Sequence, residues 1–162
     1  GLNIIWGTSQ PRIFILESGG KRFEVLLPSQ PIKESPPAGE GVSNDQFSVL
    51  EGPDGYGVSI SHFKPSFTPH EKATIVVENT SFIDSLNAKS EETDKFTVVT
   101  TKSTSFKGNP AQLNDMENVS NKMRVLAFIY GKDQYYLLIY SSKKDSFNEE
   151  KLTAFMNSFK EI

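Results

Sequence analysis

The sequence predicts an α+β fold: a mainly antiparallel β-sheet of about six to eight strands with helices packed on both faces, an α/β/α sandwich. Three observations predict it. The stretch Lys122–Ser142 holds two apolar runs around a short turn, Gly131-Lys132-Asp133-Gln134, which is a β-hairpin signal. Both faces of both runs are apolar: Met123, Val125, Ala127 and Ile129 oppose Leu126, Phe128 and Tyr130, while Tyr135, Leu137 and Ile139 oppose Tyr136, Leu138 and Tyr140. A strand with one wet face alternates, and one covered on both sides does not. Third, two amphipathic segments carry helix-start signals, at Thr68 and Ser146, which supplies one helix per face.

The chain of 162 residues suits one domain, residues 1–162, with a lead-in at Leu2–Gln10 and a surface loop at Ser29–Asp45. It has no cysteine, so disulfides, Cys-ligated zinc, iron–sulfur sites and thiol catalysis are excluded. A net charge of −3 argues against non-specific nucleic-acid binding, which needs a basic footprint. No apolar run approaches the ~20 residues of a membrane span. The leading Gly1 reads as a processing scar, so export behind a removed signal peptide, with a lipid or envelope anchor upstream, is the expectation.

Leu2–Trp6 is an apolar run that serves as an edge strand or docks Trp6. Ile13-Phe14-Ile15-Leu16 marks a strand, and Gly19-Gly20 supplies the positive φ of a tight turn. Arg22–Leu27 then alternates, placing Phe23, Val25 and Leu27 on one face, until Pro28 and Pro31 end it. Between Ser29 and Asp45, prolines and glycines stand among charges and serines, as in a surface loop. Gln46–Leu50 and Tyr56–Phe63 read as a second hairpin around a Pro-Asp-Gly turn, with Tyr56, Val58, Ile60 and His62 on one face.

Thr68-Pro69-His70-Glu71 has the form of a capping box. It opens a helix over about 69–90, or, since Thr74–Val77 is β-branched and stiff in a helix, a short strand followed by a helix from about Asn79. Lys95–Phe106 and Ala111–Val119 read as strands joined by a turn at Gly108-Asn109-Pro110, with Leu113 and Met116 inward. Ser146-Phe147-Asn148-Glu149 is a second capping-box pattern before a stripe of Leu152, Phe155, Met156 and Phe159.

Candidate chemistry is sparse. Gly19-Gly20-Lys21-Arg22 lacks the glycine spacing and Ser/Thr of a phosphate loop. His62 and His70, eight residues apart across prolines, do not form a zinc pair. Ser59 and Ser61 flank His62, but Ser61 and His62 point to opposite strand faces. Asp115 and Glu117 share a face, as a glycosidase or metal pair would, though a solvated face accounts for them. Glu91 and Glu92 are adjacent acids, and Glu149 and Glu150 sit where a helix N-terminus favours negative charge. Tyr130, Tyr135, Tyr136 and Tyr140 read as core rings with hydroxyls reaching the rim, or as a ring-lined groove. Asn79 and Asn118 match the N-glycosylation pattern. No residue is singled out as catalytic, cofactor-binding or metal-binding.

Three stretches together resemble the PsbP-like family: Gly-Gly-Lys-Arg-Phe-Glu-Val-Leu-Leu-Pro-Ser-Gln-Pro at 19–31, Tyr-Gly-Val-Ser-Ile-Ser-His-Phe at 56–63 and Phe-Met-Asn-Ser-Phe-Lys at 155–160. Lys107-Gly108-Asn109-Pro110-Ala111 is similar to that family's Gly-x-Pro turn, and Gly131–Tyr136 to its glycine before a Tyr-rich strand. The resemblance implies an antiparallel sheet between helices, shared by photosystem II extrinsic proteins, exported bacterial proteins and a Ran-binding import factor. It implies no enzyme and no metal ligand. The basic N-terminal extension expected of a photosystem subunit is missing. The resulting expectation is a non-enzymatic, extracytoplasmic binding or assembly module with a protein partner and no cofactor. The alternatives are a small hydrolase using His62 with a nearby acid, or a cytosolic adaptor.

Overall fold

The computed structural model describes residues 10–35, 42–63, 68–71, 87–88, 90–131 and 133–162. Among these, ten strands form two antiparallel sheets. A seven-stranded sheet runs in the order β3 (Ile32–Glu34), β4 (Val42–Glu51), β5 (Asp54–Phe63), β9 (Gln134–Lys143), β8 (Asn121–Tyr130), β7 (Asn109–Glu117), β6 (Thr97–Phe106). A three-stranded sheet holds β1 (Arg12–Ser18), β2 (Lys21–Leu27) and β10 (Lys160–Glu161), with β2 in the middle. Among the described residues a ten-residue helix, α1, spans Glu149–Ser158, and residues 69–71 are also helical.

The expected central ribbon forms as read. β8 and β9 pair with each other in register, Phe128 opposite Tyr136 and Leu126 opposite Leu138. It is dry on both sides. On one face Leu126, Phe128, Tyr136, Leu138 and Tyr140 join the main core with Phe23, Val25 and Phe155. On the other, Met123, Val125, Ala127, Tyr135 and Leu137 cluster with Phe63 and Met116.

What covers the first face differs from the expectation of a helix on each side. The β1–β2 hairpin does not extend the central sheet; it stacks on it, and α1 packs beside it. Its alternation, with Phe14 and Leu16 buried and Ile13 and Ile15 exposed, is that of an outer layer with one wet face. Packing of helices on both faces is not supported. Of the helix expected over 69–90, the capping box is present: the Glu71 N–H donates to Thr68 Oγ1 at 3.1 Å and the Thr68 N–H to Glu71 Oε1 at 3.2 Å. Most of that span, like the Leu2–Trp6 lead-in, lies outside the described residues.

Turn chemistry explains most joins and corrects three. Gly19 and Gly20 take φ of 56° and 80°, the two positive values of a type I′ hairpin. The second hairpin turns at Gly52-Pro53, with Glu51 paired to Asp54, so Asp54 is the first residue of β5 rather than a turn residue. The third turn sits at Lys107-Gly108, φ 49° and 83°, which leaves Asn109 and Pro110 inside β7. Pro110 is tolerated there because β8 first pairs with β7 at Ala111. The region read as a loop at Ser29–Asp45 contains β3 and the start of β4. The N-cap of α1 is Asn148, whose Oδ1 accepts the Lys151 N–H at 3.0 Å, and not Ser146, whose N–H closes a turn onto the Lys143 carbonyl.

Candidate functional site

The structure brings His62 to a serine, but not one next to it in sequence. Ser18 ends β1 on the inward side after Phe14 and Leu16 and is fully buried. Asp45 and His62 lie on the β4 and β5 faces that also carry Phe47 and Ile60, where the β1–β2 turn overlies the seven-stranded sheet. Ser18 Oγ is 2.5 Å from Asp45 Oδ2 and 2.8 Å from His62 Nε2. Ser35 donates to Asp45 Oδ1 at 2.5 Å. Gly19 makes this approach possible: a Cβ there would stand 2.8 Å from His62 Nε2.

The proton inventory decides what the trio can do. Burial raises the Asp45 carboxyl, but hydrogen bonds from Ser18 and Ser35, with the charges of Lys33 and His62, more than offset it and hold the group below its ordinary value. An ionised Asp45 only accepts, so the single Ser18 proton lies on the line to Asp45. The contact to Nε2 is then an imidazole N–H donating to Ser18. In a hydrolytic triad the imidazole accepts from the serine and the carboxylate holds the imidazole. Here the order is histidine to serine to aspartate, and the serine is sealed from solvent. The trio is a clasp between the two sheets.

The clasp predicts a pH dependence. Burial disfavours the His62 imidazolium, Asp45 opposes this and Lys21 adds to it, and the net pKa lies below the ordinary histidine value. The unfolded chain therefore takes up the proton first. This contribution is complete above about pH 6.5 and is lost as pH falls through the lower folded value. Asp45 acts in the same direction from about pH 4 downward. Urea midpoints measured against pH should fall from pH 7 to 5 in the wild type and flatten over that window in His62→Gln. A wild-type midpoint that rises on acidification contradicts the clasp.

A second polar cluster lies under α1. Asp54 is 2 % exposed. It accepts the Tyr140 hydroxyl at 2.9 Å and the Lys151 ammonium at 2.9 Å. Burial raises its carboxyl, and the bonds from Lys151, Ser142 and Tyr140 outweigh this and lower it. Burial and the charges of Asp54 and Glu51 push the neighbouring Tyr56 phenol up to about 12. Beside this cluster an open pocket of about 340 Å³ lies between α1 and the β1–β2 layer, walled by Pro11, Leu26, Pro28, Tyr56, Ala154 and Phe155.

The remaining candidates have structural employment. Arg124 binds Asp115 at 2.6 Å and Glu149 at 2.7 Å, tying α1 to the sheet, and Glu117 lies 3.8 Å from Lys144. Asp115 and Glu117 are thus separate ion pairs, not a two-carboxylate site. Glu92 pairs with Lys95, and Glu91 precedes a 3₁₀ turn. Tyr135, Tyr136 and Tyr140 are buried core rings, the last two with hydroxyls donating to Glu161 and Asp54. Asn118 is held in the β7–β8 turn, its amide donating to the Asp94 carbonyl and its oxygen accepting from Ser120 and Asn121. His70 is exposed in the turn after Thr68. Among the described residues no three His, Cys, Asp or Glu side chains lie together as a metal site requires. No described helix is long and apolar enough to cross a membrane.

The Ser18–Asp45–His62 group left no local trace in the sequence, since its members are separated by 27 and 44 residues. No family model matches the chain, and no curated protein matches it. Among solved structures, the chain is similar to cyanobacterial PsbP (CyanoP) from Synechocystis sp. PCC 6803, at 17% identity and a TM-score of 0.63, over 98% of each chain. The two share a fold along their whole lengths.

Proposed function

Starting from a PsbP-like fold, we propose that this chain is a non-enzymatic binding or assembly module, a single exported domain whose partner is a protein. The observation that carries the reading is the wiring of Ser18: a sealed hydroxyl that gives its proton to Asp45 has none to lose to His62. Fold likeness alone assigns no role. It makes a partner-binding scaffold the natural reading once His62, the best catalytic candidate, is occupied in joining two sheets. The contacts fall on the connection between β3 and β4 and on the hairpin ends, because loops on a rigid scaffold carry recognition.

The test pairs two measurements. Affinity capture from the source cell envelope compares wild type with a chain in which residues 36–41 are replaced by a short Gly-Ser link. A defined partner retained by wild type and lost by the variant, at unchanged melting temperature, is the expected result. Equal recovery removes that connection from the interface. A hydrolase screen of wild type and His62→Ala should find both inert, and an activity that disappears with His62 would end the non-enzymatic reading.

A further inference from the structure

We propose that the pocket between α1 and the β1–β2 layer is a ligand site, and that it takes a small apolar molecule ending in a protonated amine. This goes beyond the assembly reading and does not rest on it.

One hydroxyl of the core is left over. Tyr136 donates to Glu161 and Tyr140 to Asp54. Tyr56 is only 8% exposed, yet its hydroxyl has no hydrogen-bond partner among the described residues. A buried tyrosine ordinarily finds a partner for its O–H, because a stranded polar group has lost its water and gained nothing. Tyr56 instead forms part of the pocket wall. Its ring is held edge-on by Tyr140 and Phe155, with centroids 5.3 and 5.4 Å away. Burial and the charges of Asp54 and Glu51 push the phenol up to about 12, so it stays protonated and can both donate and accept. A polar group already fixed at the wall of a hollow can meet a ligand with little further ordering.

The charge around the pocket selects the kind of ligand. Glu150 and Lys151 are in the lining, and Asp54 lies beneath it. Lys151 and Asp54 neutralise each other at 2.9 Å. Arg124 takes Glu149, and the Glu150 carboxylate has no ion-pair partner among the described residues. The lining therefore holds a carboxylate in excess, which repels an anion and attracts a cation. An ammonium group donates to Glu150 and to the free lone pairs of the Tyr56 oxygen together.

The rest of the wall sets the body of the ligand. Leu26, Pro28, Ala154 and Phe155 are apolar, and the volume is about 340 Å³. That is near the lower end of ligand pockets, and it suits one ring on a short arm.

The probe is 2-phenylethylamine, titrated into the isotope-labelled full chain and followed by amide chemical shifts. A molecule of this size should bind with a Kd on the order of 1 mM, with shifts centred on Leu26, Tyr56 and Ala154. The neutral analogue 2-phenylethanol should bind about threefold more weakly, the size of an exposed ion pair, and phenylacetate should not saturate. Tyr56→Phe should weaken both amine and alcohol several-fold. Glu150→Gln should bring the amine down to the alcohol and leave the alcohol unchanged. Tyr56→Phe should also keep the wild-type urea midpoint, because the oxygen it removes has no protein partner, while Tyr140→Phe lowers it. The proposal is overturned by an amine that gives no saturable shift up to about 10 mM, or by phenylacetate binding as tightly as the amine. It is equally overturned by an amine affinity that neither pocket variant changes. A midpoint for Tyr56→Phe as low as that of Tyr140→Phe would show the hydroxyl already employed within the fold, and would end it too.

Discussion

Phe159→Ala is expected to cost about 3–5 kcal/mol, the range for emptying a large aromatic from a closed core. Phe159 is fully buried, and its ring lies within 6.2 Å of Phe23, Phe106, Phe128, Tyr130 and Tyr136, measured between centroids. Those five come from both sheets, so no single neighbour can move to fill the space. Loosening this residue also frees β10, which begins at the next position and pairs Lys160 with Glu24. At roughly 2–4 °C per kcal/mol for a chain of this size, the melting temperature should drop by about 6–20 °C. The denaturant slope should not change, since the surface exposed on unfolding is nearly the same. A loss under about 1 kcal/mol would mean the space closes freely and that the two sheets do not share a rigid core.

Asp54→Ala should be the next most damaging, on the order of 3 kcal/mol. The substitution strands the buried Tyr140 hydroxyl without its acceptor, and an unsatisfied buried group of that kind costs about 1–3 kcal/mol. It also removes the Lys151 bond. Lys151 is about half exposed and regains water, so the ammonium adds little to the cost. Asp54→Asn keeps an acceptor for Tyr140 in the same place and should recover part of the loss. A urea titration of the wild type and both variants separates these outcomes, and equal midpoints for Asn and Ala would assign the effect to charge rather than to the hydroxyl. Because the Asp54 pKa is lowered on folding, its contribution is complete above about pH 4 and fades below it. The wild-type advantage over Asp54→Asn should therefore shrink in acid.

Much of the framework was legible in local pattern. The two-faced ribbon at Lys122–Ser142, the buried alternation of Phe23, Val25 and Leu27, and the stripe Leu152–Phe159 each express a periodicity of the backbone that carries them. The Thr68–Glu71 capping box was legible because its bonds close within four residues. Misplacements occurred where two local solutions compete. Ser146-x-x-Glu149 fits a capping box as well as Asn148 fits an N-cap, and Gly108-Asn109-Pro110 turns as plausibly as Lys107-Gly108. Asp54 reads as a turn residue because Pro-Asp-Gly is polar and breaks regular structure. Only its meeting with Tyr140, 86 positions away, makes it a buried acceptor. β10 is two residues long and exists through its pairing with β2.

Residue order by itself determined most of the longer strands, which side of β2 and of β5 is apolar, and that the Tyr-rich ribbon has no wet face. These follow from side chains alternating at every residue along an extended chain, whatever that chain packs against. The tertiary structure alone decided that β1 and β2 form a second layer instead of widening the first sheet, and that Ser18 meets Asp45 and His62. An alternating strand has the same pattern whether it pairs at an edge or stacks on a face. The choice is made by contacts between residues far apart in the chain, where sequence spacing carries no information about distance.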